Sequence, residues 1–482
     1  MRNRNLWLGL ALSIACCGSF TACAQAEQER SRYEIVAEYM RDGALTGTVK
    51  LDFFNCTENA IEVLKFNLYA NAYRENALYS PISTALQDEA YYAGKSYGET
   101  VITSVLGVKS WEVGGADENI LYAYLETPVY PDERRVVDIG FSTRLAKVDH
   151  RAGITKNAVN LGGCFPTLCG VQNGAFYESV AYAEGNPYFS DCADYTVSLT
   201  VPKDYAVASS GTETDEKTLE SKKRHTVSAT NARDFAIVLS ENFGVKTEKA
   251  GKTEIAYYYF DEKNADCAVK LAKEAVEYYS SVFGEYPFET LSLAQTGLVE
   301  PSAEYPALCM LKSSLDGEEL SRVIAQAVAH QWWYAAVGCN PFENAWQDEA
   351  LAEYSAALFF EKHGDYGLNK QTLVKGALGR YKSYLDTYQK TLGWADTRMT
   401  RSLGEYLNAY EYESVAVDKG VVMLDTLSKS VGEKKFLAAL RKYYNDNKYE
   451  TATPAHLSGA FERIGLDVNG FFEGYLSGKG TF

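Results

Sequence analysis

Residues 323–334 read VIAQAVAHQWWY, and the reading of this stretch decides what the rest of the chain is. Asp316 followed three residues on by Glu319 is a capping-box pattern, and it predicts a helix that starts there, runs to about Val337 and is ended by Gly338. On such a helix Gln326 and His330 stand four positions apart, so both side chains leave the same face. Ala327 lies between them. Glu349 follows His330 by 19 residues, in WQDEALAEY (346–354), which reads as the next helix.

Working outward, the periodicity splits the chain in two. From about Tyr33 to Leu239 it is period two. Leu64, Phe66 and Leu68 alternate with polar neighbours, as do Tyr195, Val197, Leu199 and Val201 before Pro202, and again Phe235, Ile237 and Leu239. Short alternating runs broken by Gly, Asn, Asp and Pro describe antiparallel strands with one buried face. Near Phe243 the period becomes helical. Ala268, Val269, Ala272, Val276, Tyr279 and Phe283 mark a helix over 264–283 with Gly284 behind it, and 291–296 reads as one more strand. Further helices are predicted at 346–362, 370–390, 414–430, 434–446 and 454–464. The expected architecture is α+β and multidomain: a β domain over 30–244, then a mainly helical domain over 245–482. A length of 482 residues suits two cores better than one.

Composition removes some functions. A hydrophobic content of 46% and a charged content of 23% are those of a globular protein. The net charge of −17 argues against nucleic acid as a partner, because phosphate binding needs a cationic face. The basic run Ser221-Lys222-Lys223-Arg224-His225 is read as a solvated hairpin tip. Residues 1–23 have the form of a targeting segment, with Arg2 and Arg4 ahead of an apolar run from Leu6 to about Phe20. Its end, Phe20-Thr21-Ala22-Cys23, resembles a bacterial lipobox, which implies a lipid anchor on Cys23 and an extracytoplasmic location. Cleavage after Ala26 would instead give a secreted chain. Of the ten cysteines, three lie in this segment, and the odd remainder cannot all pair within one chain. Cys164 and Cys169 are spaced to close a small disulfide loop in an oxidising compartment. The absence of a C-x-x-C pair argues against a zinc knuckle.

In an H-E-x-x-H helix two imidazoles one turn apart hold a zinc ion while the glutamate reaches the metal-bound water. The run AHQWWY followed by WQDEALAEY resembles the gluzincin aminopeptidases, the family of membrane alanyl aminopeptidase and leukotriene hydrolase. That family's pattern is H-E-x-x-H, eighteen residues, then Glu. Glu300-Pro301-Ser302-Ala303-Glu304-Tyr305-Pro306 falls where the family has its G-x-M-E-N exopeptidase motif, and Val417-Asp418-Lys419-Gly420 where it has Y-x-K-G. NPYFSDCADYTVSLTVP and ARDFAIVLSENF are similar to its N-terminal saddle domain. The resemblance spans nearly the whole chain after the targeting segment. It implies a saddle-like β domain followed by a thermolysin-like peptidase domain.

Carried over position by position, the resemblance implies a degenerate site. The first zinc ligand is Gln326, the general base is Ala327, and the tyrosine that steadies the oxyanion is Val417. His330, Glu349, the amine-binding Glu304, and Glu353 behind the metal survive. Catalytic zinc takes three protein ligands and a water, and none of the remaining histidines, His150, His225, His363 and His456, has a second at helical spacing. No catalytic residue and no metal are therefore expected. His330 and Glu349 are expected to form a buried pair, with the Gln326 amide donating to the carboxylate. Tyr412 would have to swing over a helical turn to replace the absent phenol, and is read as a packing residue. The leading expectation is a cell-surface pseudopeptidase that binds peptide N-termini or serves as a scaffold. The alternatives are an active zinc aminopeptidase with an atypical site and a structural surface protein that works through contacts.

Overall fold

The computed structural model describes residues 29–479. The targeting segment 1–23, with Cys23, and the alternative cleavage point at Ala26 lie outside the described residues. Among those residues no helix is long and apolar enough to cross a membrane.

A seven-stranded sheet carries the first half, in the order Thr212–Leu219, Lys222–Ala232, Ala193–Pro202, Arg32–Tyr39, Ala44–Phe54, Arg134–Arg144, Glu99–Leu106. Every pairing is antiparallel except that of Arg32–Tyr39 with Ala193–Pro202. The alternation does its expected work here. Tyr33, Ile35, Ala37 and Tyr39 are buried while Arg32, Glu34 and Val36 are exposed, and Tyr195, Val197, Leu199 and Val201 are buried opposite them. Two four-stranded sheets and a two-stranded ribbon, Val171–Gln172 with Ala175–Phe176, complete this half; Leu64 and Phe66 pack from the strand Ile61–Asn67 into the same core. The strand Ile237–Ser240 departs from the expected alternation, since all four of its residues are buried. Its two faces pack into different hydrophobic clusters, Ile237 and Leu239 into one and Val238 into another. The basic run begins at a hairpin turn as read, but Lys222 to His225 belong to the strand. Lys222 pairs with Glu38 and His225 is buried against Glu213.

The second half begins with more sheet than the helical reading allowed. Gly244–Ala250, Thr253–Tyr259, Thr290–Thr296, Leu308–Lys312 and Ser302–Tyr305 form one five-stranded mixed sheet. The helix Ala265–Val282 lies against it through Ala268, Val269, Ala272, Val276 and Tyr279, all buried. The helices Trp346–Lys362, Lys370–Leu392, Glu433–Asn447 and Pro454–Glu462 form close to where they were expected.

The helix at the centre of the sequence reading is shorter than predicted: it spans Gly317–Ala329. Asp316 caps it through the amide of Gly317, and no return bond from Glu319 is present among the described residues. Beyond Ala329 the amides of Ala335, Ala336 and Val337 bond five residues back, to the carbonyls of His330, Gln331 and Trp332. These wide turns let Trp332 and Trp333 bury against different partners, Tyr286 for the first and Tyr443 for the second.

Arg233 ties the halves together. Fully desolvated in the β half, it donates to the carbonyls of Tyr334, Ala336 and Glu450 in the second half and of Ser190 in the first. A side chain at Gly338 would collide with this guanidinium, the added Cβ falling 2.2 Å from its Cζ.

Cys164 and Cys169 are not joined. The Cys164 thiol donates to the Gly162 carbonyl and the Cys169 thiol to the Asn67 side chain, so the proposed loop stays open. Burial pushes the Cys164 thiol up to about 12.

Candidate functional site: a cleft between the halves

A cleft of about 670 Å³ lies between the two halves, within the range of small-molecule sites. Its walls come from the His150–Arg151 segment of the β half, the Glu300–Glu304 edge, the two motif helices, and the helical stretch that follows Asn408. Seven carboxyl groups (Glu184, Glu300, Glu304, Glu349, Glu353, Glu413 and Asp418) face three arginines there, which gives the cleft an acidic surplus.

Gln326 presents its carboxamide on the cleft wall, whereas Ala327 is wholly buried, its carbonyl accepting from the Cys309 thiol. His330 caps the end of its helix. Its Nδ1 donates to the Trp333 carbonyl at 3.2 Å, which turns Nε2 toward Glu349, 3.6 Å from Oε2. Burial pulls the His330 pKa down, but the carboxylates of Glu349, Glu304 and Asp348 outweigh it and push it up to about 10. Glu349 is held below the ordinary carboxylate range: burial opposes ionisation, and the His330 imidazolium overrides it, with Arg151 assisting. Its neighbour Asp348 is displaced upward by burial and by the Glu349 charge. His330 and Glu349 stand together as an ion pair whose 3.6 Å separation is too long for a hydrogen bond, and the expected third member does not join them. Among the described residues no hydrogen bond joins Gln326 to Glu349, because the amide lies along the cleft wall.

Glu304 stands on the edge strand Ser302–Tyr305, opposite Cys309 of the neighbouring strand. Alternation along this strand buries Ala303 and Tyr305 and sends Glu304 to the cleft, so the replacement of Gly-x-Met by Pro301-Ser302-Ala303 leaves its direction intact. Its Oε1 is buried with no hydrogen-bond partner. Glu353 is taken up by Arg322, whose Nη1 donates to both carboxylate oxygens at 3.0 and 3.1 Å.

Tyr412 sits where the sequence reading did not put it. The helical stretch from Ala409 to Val431 is interrupted at Glu413–Asp418 by a π-helical turn. A π turn bonds i to i+5 rather than i+4, so Tyr412 and Val417, five residues apart, come onto one wall. The Tyr412 ring packs edge-on against Tyr406, as a packing residue should, but its hydroxyl is buried beside Glu349 and faces the site.

The cleft also holds residues that the motifs did not mark. His150 accepts or donates at Nδ1 with the Tyr73 hydroxyl and places Nε2 3.0 Å from Glu300. Burial raises the Glu300 pKa, but His150 and Arg151 outweigh it and bring it to about 2. The available signal was the run Asp149-His150-Arg151, three ionisable residues in succession after a strand. The other three histidines are committed elsewhere: His225 to Glu213, His363 stacked on Phe359, and His456 at the Thr453 cap.

Residues 306–475 match the Peptidase family M1 domain. Aminopeptidase N of Lactococcus lactis is 23% identical over 276 residues, covering 52% of this chain and 32% of that protein. The alanine/arginine aminopeptidase of Saccharomyces cerevisiae is 25% identical over 227 residues, 43% of this chain and 25% of its own length. The chain thus spans about a third or less of the length of these relatives. Among solved structures, an M1 zinc metallopeptidase variant from Deinococcus radiodurans superposes with a TM-score of 0.66 at 15% identity, covering 94% of this chain and 95% of that one. Another structure of that protein, bound to a Tyr-Ser-Ala substrate, gives a TM-score of 0.64. Over these segments the chain is similar in sequence to peptidase family M1, the gluzincin aminopeptidases, and its fold is the two-domain one of the superposed structures, a sheet-rich first half and a helical second half.

Proposed function

We propose that this chain is a pseudopeptidase of that family: a peptide-binding protein that does not hydrolyse amide bonds by the family mechanism. The observation that carries this reading is the donor set around His330. Two protein donors, His330 Nε2 and Glu349, face each other at 3.6 Å, and the third position offers only the Gln326 carboxamide, a poor zinc ligand. A catalytic zinc ion does not fit that set. The position of the general base is the buried methyl group of Ala327, and Val417 has no hydroxyl. Loss of the base alone costs about 10²–10⁴ in rate, and loss of an oxyanion donor about 10²–10³.

What such a cleft keeps is recognition. The acidic surplus and the unpaired Glu304 oxygen suit a cationic peptide amine. We place this activity outside the cytoplasmic membrane, on a lipid anchor at Cys23 or, after cleavage behind Ala26, in secreted form.

Metal analysis of the purified protein, paired with an aminoacyl-amide hydrolysis assay, tests the reading. The expected result is substoichiometric zinc and no turnover above background. Stoichiometric zinc with turnover abolished by a chelator or by His330→Ala overturns it. Binding of a free-amine peptide that is lost on N-acetylation and in Glu304→Gln supports the recognition role, and indifference to both removes it.

A further inference from the structure

Of the three cleft arginines two are spent. Arg322 is paired with Glu353 and Arg380 with Asp418. The third, Arg151, lines the same cavity, and among the described residues its guanidinium makes no hydrogen bond and no ion pair. It is a charge held in place with its donors unused. Burial pulls its pKa down, but the phenols of Tyr305 and Tyr188 and the carboxylates of Glu300 and Glu304 keep it fully protonated.

Among the described residues no carboxylate comes within ion-pair distance of it, although Glu300, Glu304 and Glu349 all act on it or are acted on by it through space. Glu300 gives Oε1 to His150 and keeps Oε2 buried without a partner, and Glu304 keeps Oε1 buried without a partner. A guanidinium and a carboxylate therefore border one cavity, apart from each other, each with hydrogen-bonding capacity unfilled. An orphaned buried carboxylate oxygen is costly, and a guanidinium with free donors at the cavity wall is ready to bind. A molecule carrying a cation for Glu304 and an anion for Arg151 would satisfy both, and the planar guanidinium suits a carboxylate because it can bind two oxygens at once.

The geometry points to a subsite for a small zwitterion, a free amino acid or a dipeptide, with its ammonium on Glu304 and its terminal carboxylate on Arg151. This inference rests on the amine-binding reading of Glu304 and adds an anionic end, which limits the ligand to one whose carboxylate lies within the cleft. The competing account makes Arg151 a mere counter-charge for Glu300 and Glu304, in which case the cleft is indifferent to a ligand carboxylate.

Calorimetry on the full chain separates the two. The probes are phenylalanine and Ala-Phe, each with its C-terminal amide, and N-acetyl-Ala-Phe. The expected result is that phenylalanine or Ala-Phe binds about tenfold or more tightly than its own amide, the worth of one charge-assisted pair. Which of the two acids binds better then tells amino acid from dipeptide. Arg151→Gln erases the acid–amide preference and leaves amide affinity in place, and Arg151→Lys retains part of it. Acid and amide binding the wild-type chain equally, with both weakened by Glu304→Gln, overturns the Arg151 role and leaves the amine site standing. Failure of every probe to bind overturns both. Should Arg151→Gln not fold, the acid–amide comparison on the unaltered chain decides alone.

Discussion

The Nε2 of His330 lies 3.6 Å from the carboxylate of Glu349, joining the end of the helix Gly317–Ala329 to the first turn of the helix Trp346–Lys362. Both groups are desolvated, so each depends on the other's charge. Replacing His330 with Ala leaves the Glu349 carboxylate among Asp348, Glu304 and Glu353 with its nearest cation gone. The expected cost is about 3 kcal/mol in urea unfolding, and Glu349→Gln added to His330→Ala should recover much of it. Additive losses in that double variant would show that the pair does not act as a unit.

The same arrangement predicts how zinc binding can be built in without catalysis. Gln326→His would set two imidazoles one helical turn apart, opposite Glu349. Equilibrium dialysis should find near-stoichiometric zinc in this variant. Aminoacyl-amide hydrolysis should stay at background, because position 327 still has no base. Turnover by Gln326→His alone would mean that another cleft group takes the base's role.

Buried carboxyl groups set a pH dependence. Burial raises the Asp234 pKa to about 7 from its ordinary 3.8, only partly opposed by the Tyr334 hydroxyl and Arg233. Between those values the native chain holds a proton that the unfolded chain has released, so stability falls as pH rises from about 4 to 7, by roughly 4 kcal/mol at the outside. His330 continues the trend. Its contribution is complete below about pH 6.5 and is lost as pH climbs through about 10. Glu300 has the opposite sign, and its contribution disappears as pH drops from about 4.5 toward 2. The urea midpoint should thus be higher at pH 5 than at pH 8, and Asp234→Asn should shrink the difference. A midpoint that rises over that interval would contradict the assignment.

Arg233 supplies three of the bonds between the halves, and each of its acceptor carbonyls is left without that donor in Arg233→Met. A loss of about 3 kcal/mol or more is expected. In calorimetry the unaltered chain is expected to unfold in one transition, and in the variant that transition should broaden or divide as the halves uncouple. An unchanged, sharp transition would show that the interface is held elsewhere.

The sequence made some of this visible and concealed the rest for physical reasons. Strands with one wet face declare themselves by alternation, as Tyr33 to Tyr39 do; Ile237–Ser240, packed on both faces, has no polar side to alternate with. Helical spacing alone put Gln326 and His330 on one face, whereas Glu349 and Glu304 were marked only by the family resemblance; Gln326, Glu304 and Glu349 line one cleft, and His330 meets it through Glu349. The early end of the helix at Ala329 was not legible: AVAHQWWYAAV contains no Gly or Pro, and the packing of two tryptophans sets the stop. His150 and Arg151 reach the cleft from about 150 residues upstream of Glu300 and Glu304, and no local period records such a meeting. Tyr412 packs as read, but the wall on which its hydroxyl stands was not legible, because a count at 3.6 residues per turn does not register the wide turn after it.

That turn at Glu413–Asp418 holds one residue more than an α-helix needs. Loss of a single codon there would let the coil tighten and would rotate everything upstream of it by about 100°, carrying the Tyr412 hydroxyl off the wall while the downstream helix kept its seat. The lining of this cavity can therefore be rewritten by a deletion as readily as by a substitution, a route open to drift that leaves every remaining letter of the sequence unchanged.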